Sequence, residues 1–225
     1  MRDRSRIRVF SPGEIFFEDV GRRVHADVES LIEACGIEVA TKKVLAGVGA
    51  DHVSFSDGGT WESDVTIVLP AYIAHPFMMD SPGLGDERGF IPTDEAMCHL
   101  DFPNIFAAGD GNALAQPKLG HIAVHQADIA AAGLYRAITG HGEIPPCHPE
   151  VFCVANRGGS NATLILSNTL FGGNVDLTLD GPVAHLLKWS FDSYYFYTRG
   201  HMPPDVLANG MERVLEGIFN RVDAR

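Results

Sequence analysis

The sequence predicts an α/β fold in which partial parallel-sheet domains precede a small α+β C-terminal region with two helices. Three observations carry this. Short strand-like runs alternate with helical patterns through the first half. A second apolar run near residue 105 leads into a long alanine-rich helix. Residues 151–179 then alternate around glycine pairs before two further helical patterns. Strands alternating with helices build parallel sheets, and strands followed by helices build α+β regions.

The elements follow in order. Residues 6–10 read as a short strand, closed by the turn cluster Ser11-Pro12-Gly13. Val24, Val28, Leu31, Ile32 and Cys35 fall at helical spacing, and Gly36 stands where a helix stop belongs. Residues 37–40, 44–45 and 53–55 are short strands. Asp57-Gly58-Gly59 is a hairpin turn, because glycine takes the positive φ such a turn needs. Residues 65–69 form an unbroken apolar run, the pattern of a strand buried on both faces, and Pro70 ends it. Strand, helix, strand, hairpin, strand is the order of the second half of a Rossmann-like domain.

Residues 83–101 are irregular and polar, with an extended piece at 90–92, as in a crossover between domains. Residues 102–110 are expected as a buried strand ending in Gly109-Asp110. Residues 119–139 are a helix with an apolar face of Ile122, Ala123, Ala127, Ala130, Ala131 and Leu134, stopped by Gly140. Residues 151–179 read as a β meander turning at Gly158-Gly159 and Gly172-Gly173, and residues 183–197 as a helix. Pro203-Pro204 opens a last helix, where proline is tolerated in the first turn, with a stripe of Leu207, Met211, Val214, Leu215, Ile218 and Val222. We see no internal repeat and no low-complexity segment.

The chain has 225 residues, 17 basic and 29 acidic side chains, a net charge of -12 and 45% hydrophobic residues. This is a globular composition, which excludes a disordered or fibrous chain. Strong negative charge repels phosphate, so no nucleic-acid partner is expected. Four cysteines without a secretory leader do not make a disulfide scaffold. Met1-Arg2-Asp3-Arg4 is followed by no apolar run, so we expect no signal peptide. The longest apolar stretch, residues 65–79, is broken by Pro70, His75 and Pro76, so no transmembrane segment is expected either, since a spanning helix takes about 20 apolar residues. The charge is uneven: residues 1–100 carry 9 basic and 17 acidic side chains, whereas residues 183–225 carry 5 of each. That neutral tail also holds Trp189, Phe191, Tyr194, Tyr195, Phe196, Tyr197 and Phe219. It suits either a core-packing helix pair or an apolar surface such as a lipid interface.

Dinucleotide-binding sheets carry G-x-G-x-x-G after their first strand. Gly47-Val48-Gly49 and Gly83-Leu84-Gly85 lack the third glycine, and there is no Walker loop, no G-x-S-x-G and no C-x-x-C. His121, His125 and Asp128 share one helix face at a spacing that can seat a metal, but no H-E-x-x-H accompanies them and we expect no metal site.

Phe102-Pro103-Asn104-Ile105-Phe106-Ala107-Ala108-Gly109-Asp110 resembles the second flavin motif of FAD-dependent pyridine-nucleotide-disulfide oxidoreductases. Within that group, Pro117-Lys118-Leu119-Gly120 resembles a segment of the sulfide:quinone oxidoreductase family, as do Thr66-Ile67-Val68-Leu69-Pro70, Phe77 and Gly89-Phe90-Ile91-Pro92. Val151-Phe152-Cys153-Val154-Ala155 resembles a strand holding one of that family's redox cysteines. His185-Leu186-Leu187-Lys188-Trp189-Ser190-Phe191-Asp192-Ser193-Tyr194-Tyr195-Phe196 resembles its lysine- and aromatic-bearing helix beside the quinone. The resemblance spans almost all of this chain but only the C-terminal half or so of the family. It departs at His121, where the family usually has an aromatic residue, and at Asn156-Arg157-Gly158-Gly159, where acidic residues are common.

The resemblance implies three regions: residues 1–82 as a truncated second Rossmann-like (NAD-binding-type) domain, 83–145 as the C-terminal part of an FAD-binding domain, and 146–225 as a C-terminal domain with quinone- and membrane-facing helices. It implies a flavin-dependent oxidoreductase that passes electrons from sulfide, or a related small sulfur donor, through a cysteine and FAD to a membrane quinone. Gly109, Asp110, Pro117, Lys118 and Gly120 would contact FAD, with Asp110 accepting from ribityl hydroxyls. Cys153 would carry sulfur as a thiolate. Lys188, mid-helix among apolar residues, would assist at the quinone, which Phe191, Tyr194 and Tyr195 would sandwich. The chain would sit on the cytoplasmic side of a membrane, in contact through residues 183–225, and a homo-oligomer is compatible with it. Without a glycine loop for the pyrophosphate, this chain alone is expected to hold FAD weakly or not at all. The alternatives are a non-catalytic split-gene remnant that binds a partner chain, or another FAD-dependent NAD(P)H or quinone oxidoreductase.

Overall fold

A computed structural model describes residues 5–199 of the chain. The helix expected after Pro203-Pro204 and the aromatic Phe219 lie outside the described residues. The chain is mixed α/β and divides into two compact units, one of Met1–Val20 with His25–Val151, the other of Gly21–Val24 with Phe152–Arg225.

In the first unit, β1 (Ile7–Phe10) and β2 (Ile37–Ala40) pair in parallel, Ile7 opposite Ile37 and Phe10 opposite Ala40. Parallel neighbours need a crossover, and α1 (Arg22–Ala34) supplies it. The helix stops as its sequence predicts: Cys35 N–H bonds Leu31 O, and Gly36 takes φ 63°. An antiparallel sheet follows, made of β3 (Leu45–Val48), β4 (His52–Phe55) and β5 (Thr60–Glu62). Gly58 has φ 83°, and the Asp57 carboxylate accepts from Gly59 N–H at 2.9 Å, so the hairpin turn is fixed by its own residues. Gly47-Val48 lies in β3 and is no phosphate loop. Phe10 packs on Phe55 at 4.6 Å, and the Arg8 guanidinium lies 3.7 Å over the Trp61 ring. Arg6 and Arg8 both donate to Glu38, and those hydrogen bonds pull its carboxyl down to about 2.

Two expected strands do not form. Residues 65–69 are irregular and open to solvent, with Ile67 84% and Leu69 91% exposed. An extended run becomes a strand only where a neighbour accepts its ladder bonds, and among the described residues no strand pairs with it. Residues 102–110 likewise are not a buried strand. Phe106 makes an isolated antiparallel bridge to Cys98, Ile105 O accepts from His99 N–H, and Ala107 N–H donates to Met97 O. A single tight neighbour at 97–99 yields an extended strip, which then turns at Gly109–Gly111 in a 3-10 turn.

The core around that strip is Ala74, Met78, Phe90 and Ile91, with Leu84, Ala107 and Ala113 packed against it. Met78 belongs to the short helix α2 (Pro76–Met79), whose start is capped by His75 Nδ1 accepting from Phe77 N–H. The long helix α3 (Gly120–Thr139) ends at Gly140, φ 74°.

In the second unit β6 (Val151–Asn156), β7 (Ala162–Ser167) and β8 (Asp176–Gly181) lie side by side in sequence order, the expected meander. Every residue of β7 is buried. Leu164 and Leu166 join Ala162, Leu177 and Ala184 in the core, while the polar side of β7 is satisfied by β8 carboxylates: Thr163 Oγ1 to Asp180 Oδ1 at 2.5 Å, Ser167 Oγ to Asp176 Oδ1 at 2.8 Å. Helix α4 (Pro182–Tyr197) covers the sheet through Ala184 and Leu187. The start of α1 belongs here because Ser167 Oγ accepts from Gly21 N–H at 2.8 Å and Asp176 Oδ2 accepts from Arg23 N–H at 2.9 Å. A carboxylate at a helix start satisfies donors the helix cannot.

Candidate functional site

In the first unit four of the five expected flavin residues lie together, and Gly120 is not among the residues lining their crevice. Gly109, Asp110, Pro117 and Lys118 line one crevice with Gln116, Gln126 and the first turns of α3. Gly109 sits at φ 71°, where the backbone favours glycine, and a Cβ there would lie 3.3 Å from Ala123 Cβ, a tight contact. The next residue, Asp110, is exposed, and among the described residues its carboxylate makes no hydrogen bond. Across the crevice, Lys118 Nζ donates to Asn112 O at 2.5 Å and lies 4.8 Å from the Phe90 ring centroid. Burial pushes the Lys118 ammonium below its ordinary value, and the Asp110 charge partly restores it. Gly120 opens α3 behind Leu119, which offers no side-chain cap, and a Cβ at Gly120 would touch nothing. The first N–H groups of α3 therefore present a positive end without a side-chain acceptor.

The residues that hold this crevice together stand in no sequence motif. Asn112, 1% exposed, donates through Nδ2 to Thr93 Oγ1 at 2.7 Å and Ala107 O at 2.9 Å, and accepts from Leu114 N–H at 2.7 Å. Gln126, 3% exposed, accepts from Gly109 N–H at 2.6 Å and donates to Gln116 at 2.8 Å. The available signal was a glutamine on the apolar face of a helix, where a polar side chain needs a partner. His99 is a third such pin: Nδ1 accepts from the N–H groups of Asp101 and Phe102, which leaves Nε2–H to donate to Leu84 O at 3.0 Å.

The second unit holds the remaining expected residues. Cys153 lies on β6 and is half-buried; burial pushes its thiol up and the Lys188 charge draws it back. The thiol is therefore neutral at neutral pH, opposite to what a sulfur nucleophile needs, and Lys188 is the group that offsets this. Lys188 pairs with Asp192 one turn on and lies 6.0 Å from the Phe191 ring centroid. Phe191 and Tyr195 stack at 6.1 Å and 20°, while Tyr194 is partly buried beside them in sequence. Val183, Leu186, Trp189, Tyr195, Phe196 and Tyr197 are exposed. No described helix is long and apolar enough to cross a membrane. The two sets of residues belong to different units.

The other candidates separate. His121 Nε2 lies 2.9 Å from Glu150 O, and burial lowers its affinity for a proton. Among the described residues no group of three or more His, Cys, Asp and Glu side chains is placed to hold a metal. All four cysteines are thiols.

No family model matches the chain. Among solved structures it is similar to the sulfide:quinone oxidoreductase of Aquifex aeolicus, with TM-score 0.79 and 16% identity over 92% of this chain and 53% of that one. It is also similar to a chain of the mitochondrial ATP synthase of Tetrahymena thermophila, with TM-score 0.58 and 19% identity over 75% of this chain and 42% of that one. A FAD-dependent pyridine nucleotide-disulphide oxidoreductase of Desulfovibrio vulgaris matches with TM-score 0.50 and 18% identity over 74% and 45%. The chain thus spans about half the length of the sulfide:quinone oxidoreductase it resembles. These likenesses establish the fold, the mixed α/β architecture of FAD- and NAD(P)-binding Rossmann-like proteins.

Proposed function

We propose that the chain is the C-terminal part of a sulfide:quinone oxidoreductase-like flavoprotein that works at a membrane surface. The observation that carries this is the crevice: Gly109, Asp110, Pro117 and Lys118, picked out by resemblance alone, line one cleft. Its features suit the ribityl and ring side of FAD. Gly109 lets the turn pack close against Ala123 of α3, Asp110 offers an exposed acceptor for hydroxyls, and Lys118 with the uncapped start of α3 offers positive charge. When bound, FAD supplies two-electron chemistry.

The chain's own residues supply the rest. Cys153 carries sulfur in this reading, and Lys188 offsets part of the burial that disfavours its thiolate. Phe191 and Tyr195, stacked beside Lys188, with Tyr194, form the quinone side. The exposed Trp189, Phe196 and Tyr197 suit contact with a lipid surface. The test is a titration with FAD followed by flavin fluorescence. We expect weak binding by the wild-type chain, and Asp110→Ala to weaken it at least tenfold, as loss of a charged acceptor implies. Equal affinity of the two proteins would reject the crevice as the flavin site.

A second reading, a chain without catalysis that binds a partner, is favoured by the exposed apolar run at 65–73. No FAD binding at millimolar ligand, together with a stable complex on partner capture, would select it.

A further inference from the structure

We propose that Gln126, braced by Gln116, is the positioning residue that sets the Gly109-Asp110 turn for its ligand. This rests on the flavin reading above and adds a role to a side chain outside the motif. The turn has no sheet ladder to fix it, since Gly109 opens a 3-10 turn at φ 71°. Its N–H is taken instead by Gln126 Oε1 at 2.6 Å, from 17 residues further along the chain. The other end of the same amide donates to Gln116 Oε1 at 2.8 Å, and Gln116 Nε2 lies 3.3 Å from Cys147 Sγ. These neighbours fix which way the amide points, because a flipped Gln126 would set its NH₂ against the Gly109 N–H.

The consequence is geometric. One side of the crevice is the turn that carries Asp110, and the other is the segment that runs from Gln116 into Pro117 and Lys118. The Gln126–Gln116 bond links the two sides, so it holds the Asp110 carboxylate and the Lys118 ammonium at a set separation. Gln126 is buried and has no charge to give a ligand; its contribution passes through Gly109.

The test compares the whole chain with Gln126→Leu. Hydrogen exchange of the Gly109 amide is followed by NMR, and FAD affinity is measured by titration. We expect Gly109 exchange to speed up about tenfold and FAD to bind about tenfold more weakly, as for an orphaned buried donor, while the Leu164 amide in β7 keeps its protection. Unchanged Gly109 exchange overturns the proposal. Faster exchange with unchanged FAD affinity also overturns it and leaves the flavin reading standing. A wild-type chain that binds no FAD removes the flavin reading, and the proposal falls with it. Should Gln126→Leu not fold, Gln116→Ala keeps the acceptor for Gly109 and removes only the brace. It is then expected to weaken FAD several-fold, and an unchanged affinity overturns the proposal.

Discussion

The crevice of the first unit and the helix-covered sheet of the second hold their candidate residues in different ways. Around Gly109 and Lys118 the backbone is irregular, and position is fixed by side chains that reach back to the main chain: Asn112, Gln126, His99 and Lys118 itself. Cys153, Lys188 and Phe191 sit on a regular strand and helix whose placement comes from Ala162, Leu164, Leu166, Leu177 and Ala184. The first arrangement depends on a few polar contacts of defined geometry. The second depends on volume and apolar area, which many neighbours share.

The sharpest way to break this contrast is in the apolar core. Leu164→Ala removes a fully buried side chain from the centre of the three-stranded sheet and is expected to cost about 2–5 kcal/mol in denaturant unfolding. A loss below about 1 kcal/mol would mean the second unit is not held by packing. In the crevice, Asn112→Ala leaves the Thr93 hydroxyl, the Ala107 carbonyl and the Leu114 N–H without their partner. We expect about 1–3 kcal/mol of destabilisation with a matching fall in FAD affinity. Unchanged affinity would show that the pins serve stability alone.

The third comparison is electrostatic. The Cys153 thiol is raised by burial and lowered by Lys188. Lys188→Gln is therefore expected to slow alkylation of Cys153 several-fold at pH 8, because less thiolate forms, while stability falls by no more than about 0.5 kcal/mol for a partly exposed i,i+4 pair. Cys153→Ser sharpens the sign. A thiol raised in the folded state contributes stability that is complete below its ordinary value near 9 and is lost as pH rises beyond it. The wild type should lose stability above pH 9 faster than the serine variant, as read by thermal melting across pH. Parallel pH curves would contradict the burial of this group.

Regular elements were the legible part of the fold. Apolar spacing and Gly36 gave α1, Asp57-Gly58-Gly59 gave the β4–β5 turn, and glycine pairs gave the meander. Residues 65–69 and 102–110 misled because an apolar run states a preference for burial, and whether a neighbouring strand exists is not written in the run itself. The crevice was half legible. Gly109, Asp110 and Lys118 stood in a motif. Asn112 and Gln126 act through contacts to backbone groups up to 17 residues away, and no local pattern encodes such a pairing. The Cys153–Lys188 coupling was hidden for the same reason, since one residue is on a strand and the other on a helix.

The most direct measurement is a map of amide shift changes during titration of the isotopically labelled chain with FAD. Saturable changes are expected to concentrate at Gly109, Asp110, Lys118 and the first turn of α3, and to be abolished in Asp110→Ala. Changes concentrated elsewhere, or none up to millimolar FAD, would contradict the crevice as the flavin site.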